Sequence, residues 1–225
     1  MGVNIYPIKI GYDCCYLVQE QGIIMIDGGT PRRMKSFTKG VGRLPIEPEQ
    51  IKLMVLTHGH WDHIGCAREI KEMTGAKIAI HGNEKEWLEK AMKPMPPGVT
   101  RWGVILAKAI TMILPLVHIP AAAVDLVIGD EVFPLAEYGV SGRVIHTPGH
   151  TSGSVSVLLD TGDAFVGDMA MNMLPMTLRP DLPVFAEDFE RLKESWRLLM
   201  DQGARTVYPA HGKPFPIEVI KEMLS

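Results

Sequence analysis

Residues 57–63 read Thr-His-Gly-His-Trp-Asp-His, which sets three histidines and one aspartate within the six positions from His58 to His63. An apolar run, Ile51-Lys52-Leu53-Met54-Val55-Leu56, precedes them with the length and composition of a buried strand. Neutral imidazole and carboxylate are the ligands that a borderline divalent cation such as zinc takes. Four polar side chains delivered together at the end of a buried strand are costly to desolvate unless something pairs with them. A metal ion satisfies all four, so the expectation is a fold built around a cation. The competing reading, a polar loop whose histidines cluster by chance, leaves matching residues further along the chain unexplained.

The chain is long enough to bury such a strand. Its 225 residues, 46% of them apolar, suit one sizeable domain spanning 1–225. The 23 basic and 26 acidic side chains leave a net charge of −3. That balance gives no overall field for nucleic acid or an anionic membrane, and neither is expected as a partner. The opening MGVNIYPIKIGYDCCYLVQ lacks the charged-then-apolar layout of a secretory signal. Cys14, Cys15 and Cys66 have no metal-finger spacing and read as buried free thiols, so a reducing, cytoplasmic setting is expected.

Strands are predicted over residues 3–10, 14–18 and 22–26, the last stopped by Asp27-Gly28-Gly29. A helix is predicted from about Pro31 to Gly40, then strand 51–56. Helix 64–74 places Ile64, Ala67, Ile70 and Met73 at three-residue spacing before Gly75. Strand 76–80, helix 84–92 and strands 131–134, 142–146, 154–159 and 164–166 follow. Helix 187–202 carries Phe189, Leu192, Trp196 and Leu199 on one stripe, ahead of strand 206–208. Strands in runs with helices between them predict two packed sheets covered by helices on their outer faces. Residues 94–124 interrupt this pattern as a helical insertion. From Trp102 to Leu114 only Lys108 is charged and apolar residues lie all round, which predicts burial. Pro115 and Pro120 cut the segment short of the roughly 20 residues that span a bilayer. A lid beside the metal site, forming a greasy pocket, is the favoured reading; a membrane contact is the other.

Three further segments present the same residue types after strand-like runs: His150 in Thr147-Pro148-Gly149-His150, Asp168 after Ala164-Phe165-Val166-Gly167, and His211 after Val207-Tyr208-Pro209-Ala210. With the first loop they make seven candidate ligands, enough for two ions. The series Ile26-Asp27-Gly28-Gly29, HGHWDH at 58–63, TPGHTSGS at 147–154, Val166-Gly167-Asp168 and Pro209-Ala210-His211-Gly212 spans nearly the whole chain. In that order it resembles the metallo-β-lactamase-fold superfamily, on its glyoxalase II and lactonase side. The resemblance implies an α/β fold, an αββα four-layer sandwich of two mixed sheets, with the site at one edge between them. It implies a first metal on His58, His60 and His150, a second on Asp62, His63 and His211, and Asp168 bridging both. Asp27 would support a ligand or its loop.

Two divalent ions about 3.5–4 Å apart can share a bridging water and turn it into a hydroxide nucleophile near neutral pH. Asp62 and Asp168 are the candidates to orient that water or pass its proton to the leaving group. Zinc is the first expectation for the ions, and iron or manganese suit the same ligands. Ser152 and Ser154 read as loop-forming residues rather than nucleophiles. Asp168 argues against a class B β-lactamase, which lacks that bridge, and His60 against a flavodiiron protein. A basic glutathione-binding cluster and the long RNA-binding extensions of tRNA-processing relatives are not evident. Met171 stands where acyl-homoserine lactonases place a tyrosine. The expectation is therefore a dinuclear-metal-dependent hydrolase of a small, partly apolar ester, lactone or thioester. Trp102, Ile105, Leu106, Ile110, Met112, Ile113 and residues 169–176 would wall its pocket, and Arg179 or Lys213 could hold an anionic group. His81, His118 and His146 are read as structural. The alternatives are a mononuclear iron enzyme resembling persulfide dioxygenases, and a non-catalytic interaction protein clamped by its metal.

Overall fold

Side-chain alternation along the strands decides how this chain layers. In β2 (Asp13–Gln19), Tyr16 and Val18 face one way and Cys15 and Leu17 the other, all of them buried. In β3 (Ile23–Ile26) and β4 (Ile51–Val55), Ile24, Ile26, Leu53 and Val55 share the first face, and Ile23, Met25, Ile51 and Met54 the second. Strands covered on both faces read as continuous apolar runs, which is what these sequences are.

The computed structural model describes residues 2–224. With β1 (Asn4–Ile10), β5 (Lys77–His81) and β6 (Leu126–Ile128), these strands form a six-stranded mixed sheet in the order β1-β2-β3-β4-β5-β6. The first two pairings are antiparallel and the other three parallel. Phe37 and Val41 of α1 (Met34–Val41), Ala67 and Ile70 of α2 (Ala67–Thr74), and Leu88 of α3 (Lys85–Glu89) cover its outer face. The second sheet contains β7 (Phe133–Pro134), β8 (Gly142–His146), β9 (Val155–Leu159), β10 (Asp163–Met171), β11 (Thr206–His211) and β12 (Phe215–Pro216), in the order β12-β11-β10-β9-β8-β7. Only its β10–β11 pairing is parallel. Leu192, Trp196 and Leu199 of α5 (Phe189–Asp201) and Ile220 close to the end of the chain cover its outer face. Val144, Val155, Val157 and Phe165 meet the first sheet in the middle. The result is the expected αββα sandwich of two mixed sheets.

Helix α4 (Arg101–Ile113) corrects one expectation. Its apolar circumference predicts burial, yet only Gly103 is buried, and Met112 is 80% exposed. The helix lies across the mouth of the site instead of between layers. Its inner side, Leu106, Ala107 and Ile110, packs on Met171, Val184 and Phe185. Of the expected pocket wall, Leu106, Ile110 and Ile113 line the cavity, whereas Trp102, Ile105 and Met112 do not. Trp102 Nε1 donates instead to the Pro175 carbonyl at 2.7 Å. Among the described residues no helix is long and apolar enough to cross a membrane.

Strands β6 and β12 and helix α6 (Glu218–Leu224) lie outside the elements predicted from the sequence. They are three, two and seven residues long, too short for a period to show. Strand β10 runs on five residues past the expected end, through Asp168 to Met171.

Candidate metal centre

Every ligand candidate sits where a strand of one sheet or the other reaches the same edge. Asp27 ends β3 with φ of +62°, a left-handed conformation that an aspartate tolerates better than most residues. There it accepts the Thr57 amide at 2.8 Å and the Thr57 hydroxyl at 2.9 Å, and its Oδ2 lies 2.9 Å from His63 Nδ1. Asp27 is therefore the support that the resemblance implies: it holds the start of the histidine loop and fixes one ring.

These contacts settle which nitrogens face the centre. His63 turns Nδ1–H to Asp27, so Nε2 is the nitrogen that faces the centre. Thr57 commits its single hydroxyl proton to Asp27, so His58 Nδ1–H donates to that hydroxyl at 3.1 Å and its Nε2 is free. His150 Nδ1–H donates to the Phe185 carbonyl at 2.9 Å. His60 stacks on Trp87, its Nδ1 3.1 Å from His150 Nε2.

Asp168 reaches these rings because β10 is irregular. Its register with β11 shifts on both sides of Gly167, whose φ is +54°. A Cβ at Gly167 would collide with the Thr57 hydroxyl, so only glycine lets β10 close on the histidine loop. Asp168 Oδ1 then lies 3.3 Å from both His63 Nε2 and His211 Nε2, and Oδ2 lies 3.7 Å from His150 Nε2. The structure thus brings all seven sequence candidates together. Their ligand atoms form overlapping sets, each within 4.8 Å: His58, His60 and His150; His58, His63 and Asp168; and Asp62, His63 and His211 with one newcomer, Asp13.

Charge is divided unevenly among these groups. Burial holds His58, His60 and His150 below the usual imidazole range, which keeps them neutral and ready to ligate. Burial acts in the same direction on His211 but is outweighed by Asp168, Asp13 and Asp62, which push it up to about 10. His63 is likewise raised by Asp168 and Asp27 against its burial. His211 and His63 in turn overcome the burial of Asp168 and hold it well below the carboxylate range. Burial and the Asp62 charge push Asp13 up to about 8.

A divalent cation fits this donor set. Nε2 of His58 and His63, and Oδ1 of Asp168 and Asp13, are buried without a hydrogen-bond partner. Unpartnered buried polar atoms are rare and costly, and here they converge. Imidazole and carboxylate are the chemistry that zinc, iron or manganese accept.

Two carboxylates of the site carry no signal in the sequence. One is Asp13, which looks like part of a Gly11-Tyr12-Asp13 turn. The other is Glu84, fully buried, which accepts the amides of Gly59 and Gly153 and the Thr151 hydroxyl. It ties the His58–His63 loop to the loop after His150, and burial pushes its carboxyl up to about 7. A lone Glu before a helix carries no signal for either role. The remaining histidines lie elsewhere: His81 and His146 stack 4.2 Å apart, both bonded to Asp130, and His118 is exposed. Arg179 and Lys213 are exposed and do not line the cavity. Met169 is buried in the core under α5.

Above the cluster lies a cavity of about 420 Å³. His60, Asp62, His150, Asp168 and His211 form its floor, and Leu106, Ile110, Met171, Met176 and Phe185 much of its wall. Such a centre, at one edge of an αββα sandwich, defines a class of metal-binding proteins. The profile of the Metallo-beta-lactamase superfamily matches residues 14–211, and the chain belongs to that superfamily. It is 28% identical over 156 residues to the probable metallo-hydrolase YqgX of Bacillus subtilis, covering 68% of this chain but only 64% of that protein. It is 28% identical over 173 residues to the hydroxyacylglutathione hydrolase GloC of Haemophilus influenzae, covering 75% of this chain and 72% of the relative. A solved archaeal superfamily member from Sulfolobus tokodaii shares the fold with a TM-score of 0.69 and 24% identity, over 99% of this chain and 84% of that one.

Proposed function

We propose that this protein is a metal-dependent hydrolase that cleaves a small, partly apolar ester, lactone or thioester at a two-cation centre. The carrying observation is the set of unpartnered buried imidazole and carboxylate atoms under an apolar-walled cavity. His58, His60 and His150 would hold one cation, Asp62, His63 and His211 the other, with Asp168 shared between them. When bound, such a pair supplies an acidified water as nucleophile and an electrophile for the oxygen that gains charge. The chain's own residues do the rest. Asp62 lies at the cavity floor and is 18% exposed, able to take a proton from the attacking water and hand it to the leaving group. Asp27, Thr57 and the Phe185 carbonyl hold the rings in fixed orientation, so little reorganisation accompanies reaction.

The wall supports the substrate class. Leu106, Ile110, Met171 and Met176 offer a surface for an acyl chain and keep bulk water from the floor. Among the described residues lining the cavity none is lysine or arginine. A neutral acyl group therefore suits it better than the anionic glutathione moiety that the GloC name implies for that relative. The three unbridged cysteines fit a reducing cytoplasmic setting.

Metal analysis combined with assays on esters, lactones and acyl thioesters of increasing chain length tests this reading. We expect two equivalents of divalent cation per chain. We also expect kcat/KM to rise about fourfold per added methylene until the cavity is full, from ~0.8 kcal/mol per buried methylene. His58→Ala and His150→Ala should each lower bound metal and cut turnover at least ~1000-fold, while His118→Ala keeps both. A single bound iron with oxygen uptake and no hydrolysis would overturn the proposal.

A further inference from the structure

Asp13 opens β2 and is completely buried. Its Oδ2 accepts the Thr30 hydroxyl at 2.7 Å, and that hydroxyl oxygen accepts the Tyr12 amide at 3.1 Å. The hydroxyl proton is thereby committed to one carboxylate oxygen, and the carboxylate plane is held in place. Its other oxygen, Oδ1, has no hydrogen-bond partner and lies 3.4 Å from His211 Nε2. Asp62 Oδ2 and Asp168 Oδ1 approach the same nitrogen at 3.6 and 3.3 Å. Three carboxylates thus converge on one imidazole. Carboxylate oxygens crowded this closely at a buried position are costly unless a cation pairs with them. A divalent cation resolves both the repulsion and the orphaned oxygen.

Building on the two-cation reading above, we propose that Asp13 is a ligand of the second cation, alongside Asp62, His63, His211 and the shared Asp168. It makes that position oxygen-rich. The first position offers three imidazole nitrogens from His58, His60 and His150 before the shared carboxylate. Imidazole suits zinc, whereas a larger share of carboxylate oxygen favours a harder ion such as Mn²⁺. The two positions therefore differ in preference, zinc taking the histidine-rich one and Mn²⁺ competing best at the one Asp13 completes. Thr30 acts through Asp13 by orienting it.

The test uses the full chain stripped with a chelator and titrated with Zn²⁺ and with Mn²⁺. Calorimetry and metal analysis after gel filtration are the readouts, and the melting temperature of each stripped variant is recorded. Wild type should take two equivalents of metal. Asp13→Asn should keep the first zinc and bind Mn²⁺ at least ~30-fold more weakly, while the stripped variant melts no lower than stripped wild type. Thr30→Val should keep both equivalents but weaken Mn²⁺ about tenfold, and it carries the test if Asp13→Asn does not fold. Two equivalents bound by Asp13→Asn with wild-type Mn²⁺ affinity would overturn the inference and leave the hydrolase reading standing. The same holds for a lowered melting temperature with unchanged affinity, which marks a purely structural carboxylate, and for wild-type Mn²⁺ affinity in Thr30→Val. A wild-type chain that takes up no metal would overturn both.

Discussion

Glu84 shows how much one side chain can organise. It joins the amide of Gly59, between two candidate ligands, to Thr151 and Gly153 just past a third. Removing it would free both loops at once. Its carboxyl, raised by burial from 4.5 to about 7, binds a proton more tightly folded than unfolded. Its contribution to stability therefore falls as pH rises from about 4.5 to about 7 and is flat above that window. Urea unfolding of chelated wild type and Glu84→Gln should show the difference between them shifting by on the order of 3 kcal/mol across that range. A difference that does not vary with pH would show that folding leaves the proton affinity of this carboxyl unchanged. The sequence exposes the histidines because they cluster. Glu84 and Asp13 stand alone among ordinary neighbours, and only folding gives them company.

At the scale of elements, two departures from regularity build the site. The break in β10 around Gly167 swings Asp168 under the rings that β4 delivers. Helix α4, stabilised at its start by the Thr100 hydroxyl accepting the Gly103 amide at 2.9 Å, turns an apolar insertion into a roof. Its all-round apolar pattern does not mean burial, because Ile105 and Met112 on the outer side are exposed and Leu106, Ala107 and Ile110 on the inner side meet the cluster around Phe185. If the roof grips an acyl chain, Leu106→Ala and Ile110→Ala should each raise KM for long-chain substrates about tenfold, from ~1.5 kcal/mol of lost apolar contact. Short-chain turnover and metal content should hold, so a fall in bound metal would assign α4 a structural role instead.

Over the whole molecule, the site is a seam. Asp13, Asp27 and the histidine loop come from the first sheet, and His150, Asp168 and His211 from the second. Beside the seam the Tyr16 hydroxyl, on the first sheet, donates to the Pro209 carbonyl on the second at 2.8 Å. Cations gripped by both halves, as proposed above, would bind only the folded chain and stabilise it, by about 4 kcal/mol at a thousandfold excess over Kd. Chelation should therefore lower the melting temperature by about 10 °C for a domain of this size, read by scanning calorimetry. An unchanged melting temperature would mean that the two sheets meet without help from metal.

The sequence alone determined the layered class, the order of the main strands and helices, and all seven residues expected to ligate. Those features are written locally, in unbroken apolar runs and in polar clusters at strand ends, where period and composition carry the signal. The tertiary structure decided which nitrogen of each ring faces the centre, that Asp13 and Glu84 belong to the site, and that α4 covers it with one side bare. Each of those depends on atoms brought together across the two sheets, from positions as far apart as Asp13 and His211, and no local pattern in a chain encodes such a meeting.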